Sequence, residues 1–358
     1  MHKNNFDFLR LIFAIFVIIT HSYPLSGNTE EDILFQFTNG QTSLSYIGMR
    51  GFFIISGFLI FQSLLRSRDL TDYYWKRALR LFPALFVVLF LTVLLGVIVY
   101  QGNPIDYFTS KSIRTYIPNN LSLNNLQYQI SGIFDSNPYK SAINGSLWTI
   151  PFEFTLFILV SCFFFIRFKC KYIRLILIGL IIVLYVFNLT ITDYMSAINY
   201  KVLNAKYMSN LGLCFLMGSF MANIDFKSDK FKYFLFISGI VLLFSSLIFS
   251  IFNITQYLFL SMIVIPFGLL SVKYINSIGK TIGDMSYGIY IFAFPVQQTL
   301  MFYFNLNYKI LMFFSLILTI LLSYLSLDIV EKLSLELKKY KPNSLIVSML
   351  IKERMHAK

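Results

Sequence analysis

The sequence is poor in charged residues. Only 13% of its 358 residues are Asp, Glu, Lys or Arg, about half the share of a typical soluble domain. Its 40 Phe and 23 Tyr belong to a hydrophobic content of 57%. This composition excludes a disordered chain, a coiled coil, a collagen-like fibre and an ordinary soluble enzyme. We therefore expect an all-α, polytopic membrane bundle, because helices satisfy their own backbone hydrogen bonds in lipid.

Histidine and cysteine are also scarce. None of the cysteines forms a CxxC pair, so we expect neither a disulfide framework nor a zinc site. Of the three histidines, His2 and His356 lie near the ends of the chain. His21 is therefore the one imidazole available inside the predicted bundle for proton transfer near neutral pH. A histidine that merely ends the first helix before Pro24 is the structural alternative. The cysteines are Cys162, Cys170 and Cys214.

Ten apolar runs are long enough to cross a hydrocarbon core of about 30 Å. No small-residue cleavage site follows the first run, so we expect a retained helix rather than a signal peptide. The predicted spans lie near 8–23, 45–65, 79–100, 146–166, 172–190, 205–222, 233–251, 255–272, 284–303 and 308–330.

The basic residues lie mostly on one side of these spans. With the amino terminus in the cytoplasm, predicted cytoplasmic segments hold 23 of the 30 Lys and Arg, and outer loops hold six. This follows the positive-inside rule. It places both termini in the cytoplasm and explains the net charge of +13 without nucleic acid. We expect a transmembrane domain (1–335) and a basic cytoplasmic tail (336–358). A long outer loop at about 101–145 is either a solvated connector or part of an acceptor site.

Few ionisable side chains lie inside the predicted spans, and each is a functional candidate because buried charge is costly in lipid. Arg10 and His21 are eleven residues apart, which places them on one helical face about 16 Å apart along the axis. Glu153 and Arg50 lie, by the same counting, in outer halves of their spans, near the depth of His21. We predict a polar cluster of His21, Glu153 and Arg50. The alternative for Glu153 and Arg50 is a structural ion pair.

A pair of arginines lies at the cytoplasmic end of the third predicted span. Arg77 and Arg80 are i, i+3 neighbours in KRALRLFP (76–83), and paired guanidinium groups suit phosphate. Arginines are also frequent at cytoplasmic ends of spans. The pair by itself therefore does not establish a phosphate site.

Six sequence elements occur in order along the chain, and the first is the spacing of Arg10 and His21. The other five are GMRGFFIISGFLI (48–60), RALRLFP (77–83), NGSLWTIPFEF (144–154), SYGIYIFAFPVQQ (286–298) and Glu331-Lys332. Together they resemble the elements of the membrane acyltransferase-3 family, whose signature R-x10-H matches Arg10 and His21. Two positions depart from the family's pattern: Ala293 stands where a histidine is frequent, and Leu333 where a proline is frequent.

The resemblance implies a multi-pass acyltransferase of the inner cell membrane, similar to stand-alone members without an esterase-like domain. Such an enzyme moves an acyl group, usually acetyl, from cytoplasmic acyl-CoA to a hydroxyl of a surface polysaccharide or lipid-linked glycan. It implies that His21 is catalytic and that Glu153 assists it. Arg10, Arg77 and Arg80 would serve the donor. Residues expected in supporting roles are Arg50, Ser146, Trp148, Ser286, Tyr287, Tyr290 and Glu331.

We therefore expect acyl-CoA, a glycan acceptor and the lipid bilayer as partners. We expect no nucleic acid, no metal and no tightly bound cofactor. The main alternative is a transporter or flippase of glycan intermediates, which also places ionisable residues near the midplane of a polytopic bundle. A membrane scaffold or receptor with a purely structural His21–Glu153 pair is a third reading.

Overall fold

A computed structural model of the chain describes residues 4–140, 142–277 and 284–337. Its helices are α1 (Phe6–Leu25), α2 (Ile33–Phe37), α3 (Leu44–Arg66), α4 (Leu70–Val99), α5 (Pro104–Thr109), α6 (Lys111–Ser122), α7 (Ile150–Val160), α8 (Cys170–Thr190), α9 (Thr192–Ala197), α10 (Ala205–Met221), α11 (Asp229–Ile248), α12 (Phe252–Leu269), α13 (Ser286–Phe304), α14 (Tyr308–Ser326) and α15 (Lys332–Glu336). Shorter elements are 3-10 turns at Gly145–Thr149, Ser161–Ile166 and Ile275–Ser277 and a π-helical turn at Leu327–Glu331. A small antiparallel pair joins β1 (Asn199–Tyr200) to β2 (Leu203–Asn204).

The polytopic helical bundle is confirmed. Within the three described ranges, eight helices are long and apolar enough to cross a membrane. The other two predicted spans are also helical, as α10 with 17 residues and α13 with 19. The largest boundary shift is in α4, which begins at Leu70 rather than near 79. Asp69 caps this extra length by accepting a hydrogen bond from the backbone N–H of Asp72, which stabilises a helix start.

The centre of the bundle is α3, which packs against α1, α10 and α12. Its approach to α10 is close enough for the two backbones to touch. A Cβ added to Gly57 would lie 2.0 Å from the backbone oxygen of Phe215, and one added to Gly218 would lie 2.0 Å from that of Ile54. Small residues allow this approach, as is typical of packed membrane helices.

The predicted outer loop packs onto the bundle. Asn137 Nδ2 donates hydrogen bonds to the side-chain oxygen of Gln298 at 2.8 Å and to its backbone oxygen at 2.9 Å. Gln298 Nε2 in turn donates to the backbone oxygens of Tyr139 and Ala142. Both Asn137 and Gln298 are buried. The end of this loop is therefore held against α13. The predicted tail lies outside the described residues beyond Leu337.

Candidate active site

A cavity lies between α1, α3, α4, α7 and α13. Seven of the twelve predicted site residues line it. Aromatic side chains of Phe52, Phe53 and Phe157 form part of its apolar wall. Its polar lining consists of Arg10, Ser56, Arg77, Arg80, Thr149, Glu153, Ser286, Tyr287 and Tyr290.

Two of the arginines share one carboxylate. Asp284, which lies just before α13, accepts hydrogen bonds through Oδ2 from Arg10 Nη1 at 2.9 Å and from Arg80 Nη2. Its Oδ1 accepts a hydrogen bond from Ser286 Oγ at 2.5 Å. Three elements, α1, α4 and α13, are therefore joined at one point. Asp284 lies at the start of the predicted span 284–303 and is one of the ionisable residues at span ends, but no specific role was predicted for it. Its acidity at that start, within GDMSYGIY, was the available signal.

The third arginine has a different environment. Arg77 donates a hydrogen bond to Ser63 Oγ at 3.4 Å and forms no salt bridge with any described carboxylate. It lies on the cavity side of α4 with Arg80, as their i, i+3 spacing predicted. Two guanidinium groups thus share one aspartate and the third has no salt bridge with a described residue, so these four side chains carry an excess of positive charge. Such an excess suits a phosphate or carboxylate ligand.

Glu153 lies along the cavity wall, at one side of α3. Its Oε1 accepts a hydrogen bond from Ser56 Oγ at 2.7 Å. One helical turn earlier, the hydroxyls of Thr149 and Tyr290 are hydrogen-bonded at 2.9 Å. These two contacts fasten α7 to both α3 and α13. Ser56 was not among the predicted site residues, because a serine in an apolar helix gives no distinct sequence signal.

The fourth span begins deeper in the bundle than the sequence indicated. Asn144 Nδ2 donates a hydrogen bond to the backbone oxygen of Ile291 at 2.9 Å. A Cβ on Gly145 would lie 2.6 Å from the ring of Phe294. The imidazole of His21 packs edge-on against the same ring, with centroids 6.0 Å apart. Gly145, rather than Glu153, therefore lies at the level of His21.

The predicted cluster of His21, Glu153 and Arg50 is not formed. Glu153 follows Gly145 by eight residues, which at helical rises puts it about 12–14 Å further along its element. Arg50 points elsewhere, with its guanidinium carbon 3.1 Å from the ring centre of Tyr46. The predicted depth of Glu153 is wrong because the residues just before span four already lie inside the bundle, beside Ile291 and Phe294 of α13.

His21 lies inside the bundle near the end of α1. Its Nδ1 is buried and has no hydrogen-bond partner in the described part of the chain. Gln297 Nε2 fixes this end of α1 against α13 by donating to the backbone oxygen of Ile18 at 3.0 Å and to Ser22 Oγ at 2.8 Å. The imidazole therefore has a fixed backbone and an unused ring nitrogen, which are requirements for a general base.

Four of the predicted site residues lie outside the cavity lining, namely His21, Arg50, Ser146 and Trp148. Ser146 is buried, and its Oγ has no partner among the described residues. Trp148 packs on the rings of Phe152 and Tyr207, with centroids 5.7 and 5.1 Å away. The side chain of Glu331 is outside the described part of the structure. Within that described part, no group of three or more His, Cys, Asp or Glu side chains is arranged to hold a metal.

Comparisons with known proteins point to one chemistry. The model of a family described as an acyltransferase domain matches residues 3–328, which include all the predicted site residues except Glu331. An O-acetyl transferase of Shigella phage Sf6 is 29% identical over 345 residues, covering 93% of this chain and 96% of the relative. Nodulation protein 10 of Rhizobium leguminosarum bv. viciae is 33% identical over 183 residues, covering 44% of this chain and 43% of the relative. No solved structure gives a significant match.

Proposed function

Because the chain belongs to the membrane acyltransferase-3 family, we propose that it transfers an acetyl group from cytoplasmic acyl-CoA to a glycan hydroxyl. Family membership makes the protein an acyltransferase, and its apolar helices make it a multi-pass membrane protein. The donor, the acceptor and a location in the inner membrane are our proposal. We infer as acceptor a surface polysaccharide or a lipid-linked glycan. The Shigella phage Sf6 relative, named an O-acetyl transferase, supports transfer of acetyl to oxygen.

The observation that carries this proposal is the group of three guanidiniums at one end of the cavity. Positive charge inside a membrane bundle is costly unless it is paired or meets a ligand. Arg10 and Arg80 share one carboxylate, that of Asp284, and Arg77 forms no salt bridge with a described residue. An acyl-CoA carries phosphates at one end and its thioester at the other. We assign its phosphates to these arginines, because guanidinium groups bind phosphate through paired hydrogen bonds.

The length of the donor suits the distance from these arginines to His21. Arg10 and His21 lie on α1, about 16 Å apart along its axis. Between their levels, Glu153 and Tyr290 line the cavity beside Phe52. A thioester arm that enters past Arg10 would extend along this wall toward the imidazole. Apolar walls exclude water, which otherwise would hydrolyse the thioester.

In the proposed reaction, His21 accepts the proton of the acceptor hydroxyl while its oxygen attacks the thioester carbonyl. The new C–O ester bond forms, the C–S bond breaks, and the proton passes from the imidazolium to the departing thiolate. The prediction from the sequence is that Glu153 orients His21 and stabilises its imidazolium form. Its hydrogen bond to Ser56 at mid-cavity leads us to assign Glu153 to the passage that holds the donor arm instead.

The test is thiol release by purified protein in lipid nanodiscs, with acetyl-CoA and a glycan extract as substrates. We expect the His21→Ala variant to lose activity by at least about a hundredfold, the size of a general-base contribution. Its CoA affinity should stay at the wild-type value, because His21 is remote from the arginines. Full activity in His21→Ala would refute the role of the imidazole. Absence of thiol release by the wild type, with glycan acetylation unchanged when the protein is removed from cells, would favour a transporter.

A further inference from the structure

Asp284 lies where two of the arginines that we assign to the acyl-CoA donor meet, Arg10 of α1 and Arg80 of α4. Its Oδ2 accepts from both Arg10 and Arg80, and its Oδ1 accepts from Ser286 Oγ at 2.5 Å. We propose that Asp284 is a positioning residue that holds Arg10 and Arg80 together as a clamp for the donor's phosphates. This inference rests on the proposed function, since it assigns the arginines to an acyl-CoA.

The carboxylate has a fixed position of its own. Ser286 belongs to the first turn of α13, and its bond to Oδ1 leaves Oδ2 to face the two arginines. Only 20% of the Asp284 side chain is accessible. The carboxylate is therefore anchored to α13 on one side and bridges α1 and α4 on the other. If the Asp284 carboxylate only filled the phosphate site in place of a ligand, it would not need the additional hydrogen bond from Ser286.

Two guanidinium groups close together repel each other, and a shared counter-ion between them offsets this repulsion. Each guanidinium has five N–H donors, and the bridge uses one from each of Arg10 and Arg80. Both arginines line the cavity. The bridge thus fixes the separation of two groups that keep donors for a ligand, as a preorganised phosphate clamp requires.

The charge balance of the cavity leaves room for the ligand. The lining carries three positive charges, from Arg10, Arg77 and Arg80, and one negative charge, from Glu153. Beside it, Asp284 pairs with Arg10 and Arg80, and the carboxyl of Asp7 interacts electrostatically with the same two arginines. Arg77 keeps its charge without a salt bridge to a described residue. Asp284 reduces the cost of burying the arginines without cancelling their attraction for phosphate.

The proposal is tested with two acetyl donors in the full-length protein. Acetyl-CoA carries the phosphates, whereas S-acetyl-N-acetylcysteamine presents a similar thioester without them. We expect Asp284→Asn to raise the KM for acetyl-CoA about tenfold, in line with the loss of a charged hydrogen bond. The rate with S-acetyl-N-acetylcysteamine should remain near the wild-type value. Asp284→Glu, which keeps the carboxylate, should recover part of the affinity for acetyl-CoA.

Asp72→Asn is the matched control. Asp72 pairs with Lys76 at 2.7 Å near the start of α4, and neither side chain lines the cavity. This variant should leave the ratio of the two activities unchanged. The ratio of the two activities does not depend on how much of a preparation is folded. If Asp284→Asn is poorly produced, the ratio measured for Asp284→Glu still tests the proposal.

Two outcomes would overturn the proposal. An equal loss with both donors would make Asp284 a purely structural residue, and a lower KM for acetyl-CoA would make it a competitor of the phosphates. Binding of CoA, measured by calorimetry, separates these outcomes from failure of the proposed function. A wild type that binds CoA but transfers no acetyl group refutes the function. In that case, unchanged CoA affinity in Asp284→Asn refutes the clamp and a weaker affinity supports it.

Discussion

At the scale of single residues, the side chains that surround four arginines of the spans give them different interactions. Arg10 and Arg80 share the carboxylate of Asp284, whereas Arg77 and Arg50 form no salt bridge with a described residue. Arg50 instead lies over the ring of Tyr46, where a cation–π interaction stabilises the charge. Residue type alone therefore does not distinguish a ligand-binding arginine from a packed one. The distinction is the partner, and partners come from other helices.

Arg77, the cavity arginine without a salt bridge to a described residue, should contribute most directly to donor binding. We expect Arg77→Gln to raise the KM for acetyl-CoA about tenfold or more with little change in kcat, because a phosphate contact is lost and the reacting groups are not. Initial rates at varied acetyl-CoA would measure this change.

A suitable control for Arg77→Gln is Arg167→Gln. The guanidinium of Arg167 packs 3.7 Å from the ring centre of Phe164, outside the cavity lining. It should leave KM unchanged. If Arg77→Gln also leaves KM unchanged and only lowers the amount of inserted protein, Arg77 serves membrane topology rather than the donor.

At the scale of elements, the way α7 enters the bundle decides which residues meet. The 3-10 turn Gly145–Thr149 precedes α7 and starts beside the ring of Phe294. This start carries Glu153 past the level of His21 and onto Ser56. A helix of the same sequence that began at the membrane surface would bring Glu153 toward His21. The loop before the helix, and not the helix itself, determines the site.

Close packing of α3 on α10 predicts a clear effect on stability. Gly57→Ala and Gly218→Ala should each lower the free energy of unfolding by about 1–3 kcal/mol, because the new methyl group meets a backbone oxygen that cannot move alone. Thermal unfolding in detergent would show lower midpoints for both variants.

Gly179 provides the matched comparison on α8. A Cβ at this position would meet nothing within 4 Å, and alanine is favoured over glycine in a helix. Gly179→Ala should therefore leave the midpoint unchanged or raise it. Equal midpoints for Gly57→Ala and the wild type would contradict the close approach of α3 and α10.

At the scale of the whole molecule, the bundle exposes apolar side chains to lipid and keeps polar groups for its interior and ends. Of the side chains of α8, only Ile173 and Leu177 are buried, as expected for a helix at the lipid boundary. At the end that we predict to be outer, the loop after α4 is fastened to α13 by Asn137 and Gln298. The arginines of the cavity lie toward the opposite end, which is the cytoplasmic side from which we propose that the donor enters.

This orientation predicts which positions can be labelled from each side of the membrane. In a variant with all three cysteines replaced by serine, Ser136→Cys should react with a membrane-impermeant maleimide on intact cells. Lys227→Cys, whose native side chain is 89% accessible, should react only after the cells are permeabilised. The reverse pattern would invert the topology and place the arginine cavity on the outer side.

The sequence alone determined the membrane bundle, the ten helical segments and the arginine pair on α4. These features depend on composition and on periodicity within one helix, which are local properties of the chain. Its motifs also identified the family and seven of the residues that line the cavity.

The tertiary structure alone decided how these residues meet. The bonds of Asp284 to Arg10 and Arg80 join positions 274 and 204 residues apart, and Glu153 meets Ser56 across 97 residues. No local pattern encodes such contacts, because they depend on the depth and rotation at which separate helices pack. Those two quantities are set by backbone approaches such as that of Gly57 to Phe215 and by the loop that leads into α7.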